Sequence, residues 1–506
     1  MADRSPFEPL GDFIDGAFAL PERSAGEIRL EEPADTARDH GSFPFSRDAI
    51  DAAVAAARSA WPSWRDLSQD ERANCLRRFA EVISDDAEPL ATTIAREVGK
   101  PLWEARTEVA AMIGKIKITL GAGLERVAEK STEMGAGKTA RWRAHARGVL
   151  SVLGPFNFPG HLVHGHVVPA LATGNTVVIK PSEQTPAVGQ HYAVLAERAG
   201  FPRGVFNLVQ GDGASGAALA AHEDCDGVLF TGSYAIGRRI LEATLDQPWK
   251  IVALEMGGKN GVLVCDDADL DVAAEQIAFG TCVTSGQRCS ATSRVIAHSS
   301  IADALCERLA RVFGAIRIGD PLSDDVFMGP VIAARSVERH AQIADWAHAD
   351  GAECLVAGGP SDGPRPGHFV RPSLHRVRTL DANSRYQAEE HFVPDAHVLA
   401  VDSLEAGIAA LAAGPFGLVA SVFSADRAKF ERVCRSSRVG LLNWNSSTVG
   451  ASGALPFGGI GQSGNDRPAG ATSVDYCTYP VASVEVESPA AGLDHPGFPG
   501  SSAKDS

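Results

Sequence analysis

No apolar run in the 506-residue chain is long enough to span a bilayer, and Ile-Ala-Ala-Leu-Ala-Ala at residues 408–413 is among the longest. That disfavours a helical membrane protein. Among the nine cysteines (75, 225, 265, 282, 289, 306, 354, 434 and 477) there is no Cys-x-x-Cys pair and no Cys/His cluster at metal-ligand spacing. Their odd number and the lack of a signal-peptide pattern lead us to expect free thiols, a cytoplasmic location and no bound metal. Basic residues are also short, 47 against 63 acidic ones, for a formal charge of -16. This excess disfavours non-specific attachment to nucleic acid or an anionic membrane. It also serves solubility and says nothing about a substrate. No internal repeat is visible.

What is present is enough chain for two large domains and a small accessory piece. With 44% hydrophobic and 22% charged residues, an ordinary globular core is feasible. Residues 1–9 read as a loose terminus, and Phe13-Ile14-Asp15-Gly16 as a strand end and turn. Helical spacing covers residues 48–60, stopped at Trp61-Pro62-Ser63-Trp64, then 68–83 with Ser68 and Glu71 as a capping box, and 88–98. Residues 104–120 continue helically and carry Lys115 and Lys117, which either face water or line an entrance. Residues 126–146 are polar around Gly135-Ala136-Gly137 and read as a projecting hairpin.

Short β-branched runs at 149–153, 176–179, 205–209, 227–230 and 251–254 then alternate with helical segments such as 186–199 and 235–244. This spacing predicts parallel βαβ units, whose ligands bind beyond the carboxyl ends of the strands. A second alternating series follows residue 289, with a strand at 293–296, a helix at 301–313 and strands near 397–400 and 419–423. The Gly- and Pro-rich insert 358–367 reads as a surface loop, and the aperiodic tail 488–506 as disordered.

Two segments carry chemistry. Leu254-Glu255-Met256-Gly257-Gly258-Lys259-Asn260 sets a carboxylate beside paired glycines, and Ser285-Gly286-Gln287-Arg288-Cys289-Ser290 sets a thiol among small residues. A general base and a nucleophile have these residue types. Four further segments accompany them: Pro155-Phe156-Asn157-Phe158-Pro159, Lys180-Pro181-Ser182-Glu183, Phe230-Thr231-Gly232-Ser233 with Gly237, and Pro456-Phe457-Gly458-Gly459. In this order the set resembles the aldehyde dehydrogenase superfamily, over roughly residues 13–487.

The resemblance implies an α/β fold: a Rossmann-like NAD-binding domain (1–125 and 147–253), an α/β catalytic domain (254–470), and a small β oligomerisation element (126–146 with 471–487) that supports a homodimer or homotetramer. It implies that Cys289 attacks an aldehyde to form a thiohemiacetal and then a thioester. Glu255 would activate the hydrolytic water, a task that suits a carboxyl whose pKa is raised by burial. Asn157, with the Cys289 backbone N–H, would stabilise the oxyanion; Arg288 would favour the thiolate if it points that way. For NAD it implies Lys180 and Glu183 at the adenosine ribose, and Gly232, Ser233 and Gly237 at a helix N-terminus near the pyrophosphate. Phe156, Leu254, Gly257, Glu390 and Phe392 complete that set. A carboxylate at Glu183 would repel a 2′-phosphate, which favours NAD over NADP. One departure stands out. Glu390-His391-Phe392-Val393-Pro394 has valine where the superfamily has glycine, and a positive φ there would strain the loop.

Finer segments, including Lys100-Pro101-Leu102-Trp103-Glu104, residues 107–116, Asn157-Phe158-Pro159-Gly160-His161, Gly464-Asn465-Asp466-Arg467-Pro468 and Asp475-Tyr476-Cys477, are similar to the branch that oxidises N-succinylglutamate 5-semialdehyde in arginine catabolism. That substrate is a polyanion, so cations and donors should line its tunnel. Lys115, His161, Arg288 and Arg467 are the candidates, with His164 and His166 beside them. The three histidines lack carboxylate or cysteine partners at useful spacing, so substrate-facing or structural roles suit them better than metal. Residues 445–449, where substrate contacts often fall in the superfamily, offer no cation. Another polar semialdehyde remains open as substrate, as does an NAD-binding homologue without turnover, for which Val393 is the only support.

Overall fold

The computed structural model describes residues 5–488 and 496, apart from 136, 382 and 466. The remainder of the tail expected to be disordered, the first four residues of the loose terminus and Asp466 of the branch-like segment lie outside the described residues.

Two seven-stranded sheets form the body. The first runs in the order Ile251–Met256, Gly227–Gly232, Val149–Leu153, Thr176–Lys180, Phe206–Leu208, Asp12–Ile14, Ala17–Ala19. Its first five strands are parallel, and the N-terminal hairpin closes the far edge antiparallel. Side chains alternate across it as the two-residue period requires. Leu150 and Val152 enter one core with the helices Gln69–Asp85, Ala87–Val98 and Pro186–Ala199, while Val149 and Leu153 enter another with Asp48–Arg65. Chain direction across the sheet reverses between Val149–Leu153 and Gly227–Gly232, which opens a crevice beyond their carboxyl ends.

The second sheet runs Glu353–Val356, Ser373–Val377, Asp395–Val401, Thr292–His298, Asn260–Val264, Val419–Phe423, Leu441–Trp444. All its pairings are parallel except the edge strand Glu353–Val356. It too has a core on each face. Only residues 257–259 separate the last strand of the first sheet from the first strand of the second. The carboxyl end of one sheet therefore meets the amino ends of the other. A third sheet pairs the hairpin Lys130–Gly135 and Lys138–Ala146 with the C-terminal strand Thr478–Val486 of the same chain.

The expected elements appear with small shifts in their ends. The capping box of Gln69–Asp85 forms both its bonds, from the Glu71 N–H to Ser68 Oγ and from the Ser68 N–H to Glu71 Oε2. One expectation fails: Pro62 does not stop the first helix, which runs on to Arg65. Trp64 explains the extension. It is 1% exposed, and its Nε1 donates to the Leu171 carbonyl at 3.2 Å, so packing carries the helix past the missing N–H. Among the described residues no helix is long and apolar enough to cross a membrane.

Candidate active site

The loop carrying Cys289 follows the helix Leu270–Cys282 through three successive left-handed residues, Thr284 (φ 54°), Ser285 (φ 52°) and Gly286 (φ 72°). Thr284 and Ser285 are strained there and need anchorage from outside. Glu104 accepts from the Thr284 N–H at 3.0 Å, and Ser285 Oγ donates to the Gly329 carbonyl at 2.7 Å. Gly286 must be glycine for a second reason, because a Cβ would lie 2.3 Å from the Val393 carbonyl carbon. Beyond the turn, Asn260 Nδ2 donates to the Cys289 carbonyl at 2.7 Å and to the Ala291 carbonyl at 2.9 Å. The backbone around Cys289 is thus pinned on both sides.

Glu255 lies on the strand Ile251–Met256 and is 1% exposed, with no hydrogen-bond partner among the described residues on either carboxylate oxygen. Burial, then the nearby Glu390 carboxylate, push its pKa up to about 8, against a smaller opposing pull from the Cys289 thiol. Cys289 is itself raised well above the usual thiol range by burial, Glu255 and Glu390, with the Arg288 charge pulling the other way. Asn157 comes from the turn after Val149–Leu153; its Nδ2 donates to the Gln287 carbonyl at 2.9 Å, which ties its loop to the cysteine loop.

Two cavities meet at these residues. One, of about 590 Å³, occupies the crevice of the first sheet and is lined by Phe156, Lys180, Glu183, Gly232, Ser233, Gly257, Glu390 and Phe392. The other, of about 350 Å³, is lined by Lys115, Phe158, His161, His166, Arg288, Ser290 and residues 450–453. Asn157, Leu162, Thr231, Glu255 and Cys289 line both. The thiol, the carboxyl and the amide therefore stand in the wall between two chambers, where molecules held in each could react.

In the larger chamber, Ser233 caps the helix Tyr234–Ala243 by accepting from the Ile236 N–H. Lys180 Nζ lies 3.4 Å from Glu183 Oε2, and Glu390 accepts from the Gly258 N–H at 2.9 Å. Burial raises Glu390 to about 7, against pulls from that N–H, Lys259 and Arg339. Two expected cofactor residues do not reach the chamber. Leu254 is 2% exposed within the sheet's core, and Gly237 lies against Met256, whose Sδ would be 2.4 Å from an added Cβ. Both pack helix on strand. The concern over Val393 is also corrected: the left-handed residue is Phe392 (φ 57°), and Val393 is a buried core residue that needs no positive φ.

In the smaller chamber, Arg288 donates to Glu104 at 2.7 Å and lies 4.7 Å over the Phe158 ring. Lys115 is 4% exposed and donates to the Gly470 carbonyl at 2.7 Å and Ser473 Oγ at 2.6 Å. No carboxylate among the described residues pairs with it, and burial lowers its pKa to about 8. Lys117, by contrast, faces solvent. His161 keeps a buried Nδ1 without a partner among the described residues and is lowered to about 4 by burial, then by Lys115, Lys100 and Arg288. His164 and His166 bond Tyr192 and Tyr476 instead, at 2.8 and 2.7 Å. No group of three potential ligands that could hold a metal occurs among the described residues. Arg467 is not brought here: it lines neither cavity, and its guanidinium donates to the Gly458 carbonyl.

Sequence reasoning missed the residues behind these walls. Lys100, Glu104 and Glu108 were matched only as parts of segments, although carboxylates four apart on a helix share a face. Thr231 was matched only as part of its segment, and Leu162 gave no local signal.

The aldehyde dehydrogenase family profile matches residues 21–482. An N-succinylglutamate 5-semialdehyde dehydrogenase of Novosphingobium aromaticivorans is 41% identical over 445 residues, 88% of this chain and 93% of that protein. A Caulobacter vibrioides protein, N-succinylglutamate 5-semialdehyde dehydrogenase 1, is 43% identical over 442 residues, 87% and 92% of the two chains. Among solved structures, an NAD-dependent aldehyde dehydrogenase from Sinorhizobium meliloti superposes with a TM-score of 0.90 at 30% identity, covering 97% of each chain.

The electrostatics of Cys289 generate a test of its own. Alkylation of this thiol by iodoacetamide should be slow at pH 7 and still be climbing at pH 9, since burial, and then two carboxylates, hold its pKa up. Removing one of them in Glu255→Gln should speed alkylation at pH 9, by about tenfold for each unit the thiol pKa falls. An unchanged or slower rate in that variant would show that Glu255 does not oppose thiolate formation.

Proposed function

The chain belongs to the aldehyde dehydrogenase family and oxidises an aldehyde with NAD, and on that premise we propose the roles of its residues and the identity of the aldehyde. The observation that carries the reading is the shared wall: Cys289, Glu255 and Asn157 line both a dinucleotide-sized chamber and a second, smaller one.

The larger chamber suits a dinucleotide. It lies at the reversal point of a parallel sheet, offers a capped helix N-terminus for phosphate, and has a carboxylate near each end, Glu183 and Glu390. Gly257 is part of the cradle, since a Cβ there would lie 2.0 Å from a Glu390 oxygen. When bound, NAD supplies the hydride acceptor. The protein does the rest. Cys289 Sγ forms a bond to the aldehyde carbon and gives up its proton, for which the unpartnered Glu255 carboxylate is the adjacent base. An Asn side-chain amide has two N–H groups; one of Asn157's is committed to Gln287, which leaves the other for the oxyanion. After oxidation leaves a thioester on Cys289, Glu255 takes a proton from water, the hydroxyl adds to the acyl carbon, and the C–S bond breaks to release the acid.

For the aldehyde we propose N-succinylglutamate 5-semialdehyde, the substrate in the names of the relatives above. Lys115 supports it from this chain: a buried ammonium with only neutral acceptors is a receptor for a substrate carboxylate. Residues 1–125 with 147–253 then hold the cofactor and 254–470 the chemistry. The third sheet, formed by 126–146 and 471–487, is the oligomerisation element. It exposes Met134, Tyr479, Val484 and Val486, surface that a homodimer or homotetramer would cover. Nine free cysteines suit a reduced cytoplasm.

Cys289→Ala should abolish NADH formation while keeping NAD binding by calorimetry; any residual turnover on the semialdehyde removes the assignment. In the wild type, hydrolysis of the acyl-enzyme should rise as Glu255 ionises, with an inflection near pH 8, because only the carboxylate can take a proton from water. Glu255→Gln should slow the NADH burst, because Glu255 takes the thiol proton, and slow the turnover that follows about 10²- to 10⁴-fold, without that inflection. Lys115→Met should raise KM for the succinylated substrate about 10- to 100-fold, the value of a charge-assisted hydrogen bond, and leave KM for propanal alone. The wild-type advantage should fade above about pH 8, as Lys115 loses its proton. Light scattering should show the purified protein as a dimer or tetramer, and a monomer at micromolar concentration would refute the oligomerisation role.

A further inference from the structure

Three buried charges lie behind the two loops that meet at Cys289, and the chemistry above uses none of them. Glu104 and Glu108 stand one turn apart on the helix Leu102–Ile118, 0% and 1% exposed, and Lys100 just before that helix is 1% exposed. Glu104 serves the cysteine loop: it accepts from the Thr284 N–H and hydroxyl and from Arg288. Glu108 serves the asparagine loop: its Oε1 accepts from the Gly160 N–H at 2.9 Å and the His161 N–H at 3.0 Å. These are early N–H groups of the helix His161–Ala172, where a carboxylate is favoured. Lys100 joins the two halves. Its Nζ donates to Glu108 Oε2 at 2.7 Å and to the carbonyl of Asn157 itself, and it lies 3.6 Å over the Phe158 ring.

We propose that Glu104, Glu108 and Lys100 are positioning residues that set the separation of the Cys289 thiol and the Asn157 amide through one rigid turn of helix. A turn of α-helix spaces the two carboxylates by about 6 Å along its axis. Two loops more than a hundred residues apart in sequence are thereby mounted on a single support. The cysteine loop needs such a support, because Thr284 and Ser285 are left-handed and would relax without it. The charges also close on one another. Arg288 neutralises Glu104, Lys100 neutralises Glu108, and removal of one member leaves its partner buried and unpaired. Burial alone would raise Glu104, but Arg288, Lys100 and the Thr284 bond outweigh it and hold its pKa below the usual range, so it stays an acceptor.

This inference rests on the reading of Cys289 and Asn157 as the working pair. A double-mutant cycle separates it from that reading. Glu108→Gln should lower kcat about 10- to 100-fold, the effect of a misplacement near 1 Å, while iodoacetamide alkylates Cys289 within about twofold of the wild-type rate. Glu104→Gln should slow both. In the Asn157→Ala background, Glu108→Gln should cause no further loss of kcat, whereas Glu104→Gln should still cause one. Circular dichroism and NAD binding check that each variant folds. Should either Gln variant fail that check, Glu104→Asp or Glu108→Asp, which keeps the charge but withdraws it by a methylene, enters the same cycle. The proposal is overturned if Glu108→Gln lowers kcat by the same factor with and without Asn157, or if Glu104→Gln leaves alkylation unchanged. Full kcat in Asn157→Ala would instead remove the oxyanion role, and the alkylation of the Glu104 variant would still decide on the support.

Discussion

The structure depends on the shortness of the link between its two sheets. From Glu255 to Asn260 the chain leaves one parallel sheet and enters the other, and nearly every residue on the way is bonded to a different part of the site. Gly258 donates its N–H to Glu390, Lys259 donates to the Tyr386 carbonyl at 3.0 Å, and Asn260 holds the Cys289 carbonyl while accepting from the Val419 N–H. Buried polar groups without such partners would each cost about 1–3 kcal/mol, so the link cannot shift without breaking several bonds together. Glu255, the Cys289 loop and the Glu390 loop are thereby held in a common frame.

Glu255 is the exception within that frame: among the described residues no donor meets either of its carboxylate oxygens, and burial raises its pKa. The folded protein bears a cost for it. Glu255 and Glu390 both hold protons more tightly when folded, so their contribution to stability is complete below the ordinary carboxylate pKa. It is lost as pH rises toward about 8 and 7 respectively. Other buried carboxylates are hydrogen-bonded. Asp395, behind the Glu390 loop, accepts from Ser373 Oγ at 2.6 Å and lies within hydrogen-bond reach of His375 and His391, which hold its pKa well below the usual range against the effect of burial. Glu97 accepts two N–H groups at the start of the helix Pro186–Ala199, although burial outweighs them and raises its pKa to about 8. The contrast separates carboxylates bonded into the architecture from Glu255, which has no bonded partner among the described residues.

The chamber beyond Cys289 is shaped as much by what its cations are bound to as by their number. Arg288 has its charge answered by Glu104, while Lys115 has only a carbonyl and a hydroxyl. A count of basic residues along the sequence treats them alike. The partner sets distinguish a cation paired with a carboxylate from one whose bonded partners among the described residues are neutral.

The sequence by itself determined the alternation of strand and helix, the two sheets it builds, and the chemical types at the junction. These signals are local: a two-residue period marks a strand, a capping box marks a helix start, and Glu255 and Cys289 lie in short recognisable segments. Which side chains meet was decided by the tertiary structure. Leu254 and Glu255 are neighbours in one motif, yet the strand's alternation turns the first into the core and the second to the cavity wall. Arg467 has the right charge and a loop that turns it away, and Val393 is acceptable because the left-handed turn falls one residue earlier. The clamp formed by Lys100, Glu104 and Glu108 was invisible for the same reason. Its partners at 157, 160 and 284 are brought to it only by the order of strands in the first sheet and the short link to the second, which no local pattern encodes.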